Sequence, residues 1–317
     1  MSRRSPGSIR LATSSLPSSF LHGALACAAI AGCAGHSIVE EVPDHMTANS
    51  AAPVQPTKMK SGYAPVNGIS MYYEIHGEGG RAPLVLLPGG GSTIDATYGR
   101  VLPLFARHRA VIAAEEQNHG RTGQRDVPER FTTSADDVAA LLAHLGIHEA
   151  DVMGFSNGAS VAMQVAIRHP ALVRRLVFAS SMTRRSGAPP QFWEAMGNAS
   201  FEDMPQALKD AFLAVNPDPK ALRIMYERDV ERMQNFVDTS DEDVKTVVVP
   251  TLIISGDRDV PTTDHAVELT HLMPHARLMI LPGGHGEYLG ELLADKRASR
   301  YPELTVAVIE EFLDSPE

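Results

Sequence analysis

The sequence predicts an α/β fold: a mostly parallel sheet with helices on both faces and a helical lid inserted late in the sheet. Three observations predict it. Continuous apolar runs alternate with amphipathic stretches from Met59 onward, as buried parallel strands and their crossover helices do. One apolar run, starting at Asp151, leads through Gly154-Phe155-Ser156-Asn157-Gly158 directly into a helical pattern. Finally, the alternation stops near Thr183 and resumes near Val247, which marks the stretch between as an insertion.

In chain order, Tyr63–Val66 and Ile69–Ile75 read as an antiparallel pair joined at Asn67-Gly68, a favoured two-residue hairpin turn. Pro83–Leu87 is a buried strand that ends in Pro88-Gly89-Gly90-Gly91-Ser92. Tyr98–Ala106 is expected to be helical, Ala110–Ala114 a strand, and Glu115–Thr122 a polar loop. Thr133–Leu145 has a helical pattern, with Leu141, Leu142 and Leu145 on the apolar side. A strand follows, then Ser156, then a helix from Asn157 to about His169, then a strand at Val173–Ala179. Residues 183–245 are rich in methionine and aromatics, and Leu222, Met225, Tyr226, Met233 and Phe236 fall on one helical face. Strand character resumes over Val247–Ile254. Arg277–Leu281 is the last strand and Glu303–Leu313 the last helix.

Composition narrows the function. The net charge is −10. Residues 1–32 hold Arg3, Arg4 and Arg10 and no acid, so the remainder carries 25 − 38 = −13. An acidic body disfavours nucleic acid and charge-driven binding to anionic lipid. There is no P-loop, no G-x-G-x-x-G and no zinc-type Cys/His spacing, so no cofactor or metal is expected. Both cysteines, Cys27 and Cys33, precede the body, which therefore has neither a disulfide nor a catalytic thiol.

Residues 1–32 have the pattern of a signal peptide. Arginines precede a modest apolar run, Phe20–Ile30, that is too short to span a bilayer. Ile30-Ala31-Gly32-Cys33 resembles a bacterial lipoprotein signal, which makes Cys33 the expected lipidated residue. An ordinary cleaved signal and a misassigned start remain open, and Arg3-Arg4 only hints at a twin-arginine signal. Residues 33–58, rich in Ala, Pro, Ser and Thr, read as a disordered tether reaching roughly 25–30 Å. The expected division is thus signal 1–32, tether 33–58, core 59–182 and 246–317, and lid 183–245. The expected location is exported, with the membrane held by the lipid anchor alone; a cytoplasmic or freely secreted protein is the alternative.

The chemistry is carried by three strand ends. Gly154-Phe155-Ser156-Asn157-Gly158 is a G-x-S-x-G pattern in the strand–turn–helix context that exposes a serine. Gly256-Asp257-Arg258-Asp259 and Pro282-Gly283-Gly284-His285-Gly286 follow two later strands. In open α/β sheets, sites form at the carboxyl ends of strands. With Ser, Asp and His in that order, the chain resembles the α/β-hydrolase superfamily over about residues 62–317.

The resemblance implies Ser156 as nucleophile, His285 as general base and Asp259 as the acid that orients it, with Asp257 left to hold the turn. Asp264 stands too far past the strand. The resemblance also implies oxyanion-hole donors at the N–H groups of Asn157 and Gly90. Relatives often carry His-Gly where this chain has Pro88-Gly89, so a side chain that commonly braces the loop is missing. His119 and Arg121 lie in a loop resembling the family's G-H-G-x-S turn and are expected to be structural. Glu194, Glu202 and Glu227 are lid acids available for a substrate amine. The implied activity is hydrolysis of a carboxylic ester or lactone, with a small acyl compound as partner. The alternatives are amide hydrolysis of an aminopeptidase kind, C–C bond hydrolysis, cofactor-free peroxidation, and a non-catalytic surface lipoprotein.

Overall fold

The computed structural model describes residues 59–80, 82–294 and 299–316. The signal, the tether and Cys33 lie outside the described residues.

Strands β1 (Met59–Val66) and β2 (Ile69–His76) pair antiparallel. Asn67 and Gly68 between them both have positive φ, 43° and 89°, the backbone of a turn whose twist matches the flanking strands. Strand β3 (Leu84–Leu87) is wholly buried, as continuous apolar character requires. The segment expected as one helix over 98–106 is instead two short ones, α1 (Ile94–Tyr98) and α2 (Leu102–Phe105). Gly99 terminates the first, and Pro103 in the first turn of the second cannot donate a backbone hydrogen bond back across the break. Strand β4 (Val111–Ala114), helix α3 (Phe131–His144), strand β5 (Ala150–Phe155), helix α4 (Asn157–Arg168) and strand β6 (Val173–Ala179) follow.

Between β6 and the next strand lie helices α5 (Pro190–Gly197), α6 (Gln206–Val215), α7 (Pro219–Gln234) and α8 (Asp241–Lys245). Strand β7 runs Thr251–Gly256, so the expected strand character at 247–250 is not realised. Pro250 has no N–H to give a ladder, and Val248 is exposed. Helix α9 (Thr263–Leu272) is not announced by an apolar stripe, but Thr262 caps it by accepting from the His265 N–H. Strand β8 (Ala276–Leu281) and helix α10 (Tyr301–Asp314) end the chain.

The eight strands form one sheet in the order β1-β2-β4-β3-β5-β6-β7-β8, parallel from β4 to β8. One face buries α3, α4 and α9 residues such as Leu141, Val161 and Leu269. The other buries Phe105, Val306 and Ile309 of α2 and α10. Helices α6 and α7 share a third apolar cluster around Phe212, Leu222, Met225 and Met233. The chain leaves β3 on one side towards β4 and returns past it to β5. The gap between the carboxyl ends of β3 and β5 is therefore the switch point where α/β sheets open a crevice. Ser156 and Gly90 follow those two ends.

Candidate active site

Ser156 stands between β5 and α4 with φ 54° and ψ −123°. A non-glycine residue pays on the order of 1–3 kcal/mol for such a backbone. The close approach of strand and helix holds it there. A Cβ on Gly154 would lie 2.1 Å from Gly158 O, and one on Gly158 would lie 2.2 Å from Leu87 O. Only glycine fits at either position. The Ser156 N–H is tied to Ala179 O at 2.9 Å, which fixes the turn to β6. The Asn157 N–H is the first of α4 and, like that of Gly90, donates to no group among the described residues. Such free N–H groups at a helix start are suited to a developing negative charge.

His285 and Asp259 are brought together: Nδ1 lies 2.6 Å from Asp259 Oδ1. Asp259 is buried and collects further donors from Gly256 N–H (2.9 Å), Val260 N–H (2.7 Å), Ser180 Oγ (2.5 Å) and Ser255 Oγ (3.2 Å). Burial pushes its pKa up, but the His285 charge and these hydrogen bonds outweigh that and hold it below the usual carboxylate range. The neighbouring Asp257 faces away and accepts the Gly283 N–H at 2.8 Å, tying the two loops together. Phe155 packs its ring 4.7 Å from the His285 ring centre. Asp264 lies in the first turn of α9.

Ser180 is a site residue that sequence reasoning misses. It follows β6 with φ 53°, and its hydroxyl bridges Asp259 and the buried Tyr288 hydroxyl at 2.6 Å. Its position just past a parallel strand end was the available signal.

Gly90, Ser156, Asn157 and His285 line one narrow cavity of about 30 Å³, roofed by Met182, Phe192, Met196, Met233 and Phe236. Among the described residues the Ser156 hydroxyl makes no hydrogen bond. Catalytic hydrogen bonds of this kind commonly close only around substrate. A larger cavity of about 670 Å³ adjoins it, sharing Ser160, Met182 and Phe236. Glu194, Glu202 and Glu227 border neither cavity, and all three are exposed. Among the described residues no cluster of three or more His, Cys, Asp or Glu could hold a metal.

Arg121 pairs with Glu115 at 2.8 Å and lies over the Tyr72 ring. His119 instead reaches α7: its Nε2 lies 3.0 Å from Asp229 Oδ2. Arg232, one turn on, holds Asp229 Oδ1 at 2.5 Å and Glu116 at 2.9 Å. Helix α7 is thus pinned to the loop after β4 by buried ion pairs.

A fold of eight mostly parallel strands with a serine elbow between β5 and α4 is that of the α/β-hydrolases. The family model described as alpha/beta hydrolase fold matches residues 82–221. A putative carbamate hydrolase, RutD, of Azorhizobium caulinodans is 27% identical over 235 residues, covering 68% of this chain and 88% of its own. A non-heme haloperoxidase of Rhodococcus erythropolis is 26% identical, covering 69% of this chain and 90% of its own. Among solved structures, a serine hydrolase involved in carbazole degradation superposes with a TM-score of 0.66 at 22% identity, covering 81% of this chain and 99% of its own. The chain thus has the α/β-hydrolase fold, and its likeness to these relatives supports a hydrolase.

Proposed function

We propose that the protein is a serine hydrolase that cleaves a carboxylic ester or lactone through an acyl-enzyme. Ser156 Oγ attacks the carbonyl carbon while His285 Nε2 takes its proton. Asp259, bonded to Nδ1, fixes the tautomer and stabilises the imidazolium that forms. The carbonyl oxygen becomes an oxyanion between the N–H groups of Gly90 and Asn157. The imidazolium then gives its proton to the departing alcohol, and water enters by the reverse route.

The observation that carries this reading is the Asp259–His285 pair at 2.6 Å on the same cavity as Ser156 and the two free N–H groups. The leaving oxygen has to lie beside His285. The acyl part therefore extends the other way, past Ser160, Met182 and Phe236 into the larger cavity, which His285 does not line. This favours an ester or lactone with an extended acyl portion.

The test is a hydrolysis screen over p-nitrophenyl esters of increasing acyl length, lactones and aminoacyl arylamides, run with Ser156→Ala. Ester or lactone turnover that depends on Ser156 supports the reading. Turnover of the arylamides alone would favour the aminopeptidase alternative, although the exposed Glu194, Glu202 and Glu227 offer an amine nothing at the cavity.

The place of the enzyme is proposed from the leader alone: cleavage before Cys33 and lipid on that residue, with the domain tethered outside the cytoplasm. No described helix is long and apolar enough to cross a membrane. Fractionation and intact mass of the natively expressed protein, beside Cys33→Ser, test it. Wild type is expected in membranes with a lipid mass on a chain starting at 33. Soluble wild type, or retention of residues 1–32, would contradict it.

A further inference from the structure

The loop after β3 contains three consecutive glycines, Gly89, Gly90 and Gly91. Such a run has more conformational freedom than any other tripeptide. Yet an oxyanion donor is useful only if held in place before the reaction. The loop also lacks the histidine that commonly braces it, since Pro88 stands there.

The bracing comes from elsewhere. The Gly89 N–H donates to Thr97 Oγ1 at 3.3 Å. The Gly91 N–H donates to Asp229 Oδ2 at 2.5 Å. The peptide groups on both sides of the Gly90 N–H are thus tied, and the one between is left free to face the cavity. Gly91 has φ 66°, a conformation this tie has to maintain. Asp229 comes from α7, 138 residues further on, and is buried. Its Oδ2 lies 3.1 Å from where a Cβ of Gly90 would stand.

A bare carboxylate so close to an oxyanion would oppose the reaction. Asp229 is not bare. Arg232 holds Oδ1, and His119 holds Oδ2. Burial alone would lower the His119 pKa, but the charge and hydrogen bond of Asp229, with Glu129 and Glu116, lift it to about 10. His119 is then an imidazolium at neutral pH, donating Nδ1–H to Gln117 O at 2.9 Å and Nε2–H to Asp229. An imidazolium accepts nothing, so the Gly91 N–H, also 3.3 Å from His119 Nε2, belongs to the carboxylate.

We propose that Asp229, carried by the insertion and neutralised by His119 and Arg232, is the positioning residue that holds the Gly89–Gly91 loop so that the Gly90 N–H serves the oxyanion. It rests on the reading of Ser156 as nucleophile. It also means that α7 is part of the catalytic frame rather than a flap, because lifting it would break the loop's tie.

The test uses Asp229→Ala, Asp229→Ala with His119→Gln, and Ser156→Ala on the p-nitrophenyl ester that wild type turns over fastest. The double variant removes the Asp229 and His119 charges together, and Arg232 keeps its bond to Glu116. Readouts are kcat, KM, the Kd of phenylboronic acid as a tetrahedral, anionic mimic, and circular dichroism. Deleting an oxyanion donor outright costs about 10²–10³ in kcat. A donor merely loosened is expected to cost about 10–10² in kcat, with KM within about threefold and boronate affinity falling in parallel. A folded variant of either kind with kcat within about twofold of wild type, or a loss confined to KM, would overturn the brace. In wild-type protein, without any substitution, the Gly91 amide proton is expected well downfield and slow to exchange; a fast-exchanging Gly91 amide would overturn it as well. Ser156→Ala with undiminished turnover would overturn the nucleophile reading and the brace together. Loss in Ser156→Ala beside normal Asp229 variants would overturn the brace alone.

Discussion

Two buried carboxylates flank the cavity, and they are built in opposite ways. Asp259 takes three of its donors from its own turn, Gly256, Ser255 and Val260, and the others from the next strand ends, Ser180 and His285. Asp229 takes one donor from a loop 138 residues away and another from 110 residues away, and only Arg232 is near it in sequence. Both are held ionised because donors and cations outweigh burial. The difference lies in what positions them. Parallel strand ends place Asp259 and His285 by backbone geometry alone. Asp229 depends on how the inserted helices fold onto the core.

The largest expected effect falls on the strand-end side. Ser156→Ala is expected to lower kcat by about 10³–10⁶ with the fold intact, measured on the best ester of the screen. Near-normal turnover would break the comparison at its root. Asp259→Asn is expected to cost about 10⁴, by favouring the wrong histidine tautomer. Asp257→Asn, whose side chain meets the Gly283 N–H and Arg258 but not His285, is expected to cost less than tenfold. A reversed ranking in steady-state kinetics would move the acid to Asp257.

Gly158→Ala probes the frame beneath. Its Cβ would meet the Leu87 and Pro88 carbonyl oxygens at 2.2 and 2.3 Å, so backbone has to shift, at about 3 kcal/mol. Urea unfolding should show the loss, and unchanged stability would mean that the elbow is looser than described.

On the insertion side, the signature is pH. The His119 pKa is raised when folded, so its contribution to stability is complete below about 6.5 and is lost as pH rises through about 10. Wild-type Tm is expected to fall by several degrees between pH 7 and pH 10, with a flatter profile in His119→Gln. Equal slopes would show that His119 is not an imidazolium in the fold. The smallest effect is expected from Glu202→Gln and Glu227→Gln, within experimental scatter in kcat/KM, since both side chains lie in solvent.

The same contrast explains what the sequence made legible. Ser156 could be found because strand, turn and helix lie within twenty residues, and the glycine spacing encodes the close approach. Asp259 and His285 are expected from the family resemblance, mapped onto the loops after two later strands. The break at Gly99, the late start of β7 after Pro250 and the uneven stripe of α9 are local competitions that periodicity resolves poorly. Asp229 was not legible at all. Its helix reads as an amphipathic insertion element, and nothing local reveals that a buried acid on it meets a glycine loop at the far end of the core. The absent histidine at 88 was a clue that a brace was missing, though not to where it comes from.

The claim that orders everything else is that Ser156 is an activated nucleophile. Intact mass and peptide mapping after a fluorophosphonate probe test it most directly. One adduct on Ser156 is expected, its formation slowed by orders of magnitude in His285→Ala and little changed in Asp257→Asn. An adduct on another residue, or labelling of Ser156 that is indifferent to His285, would contradict it.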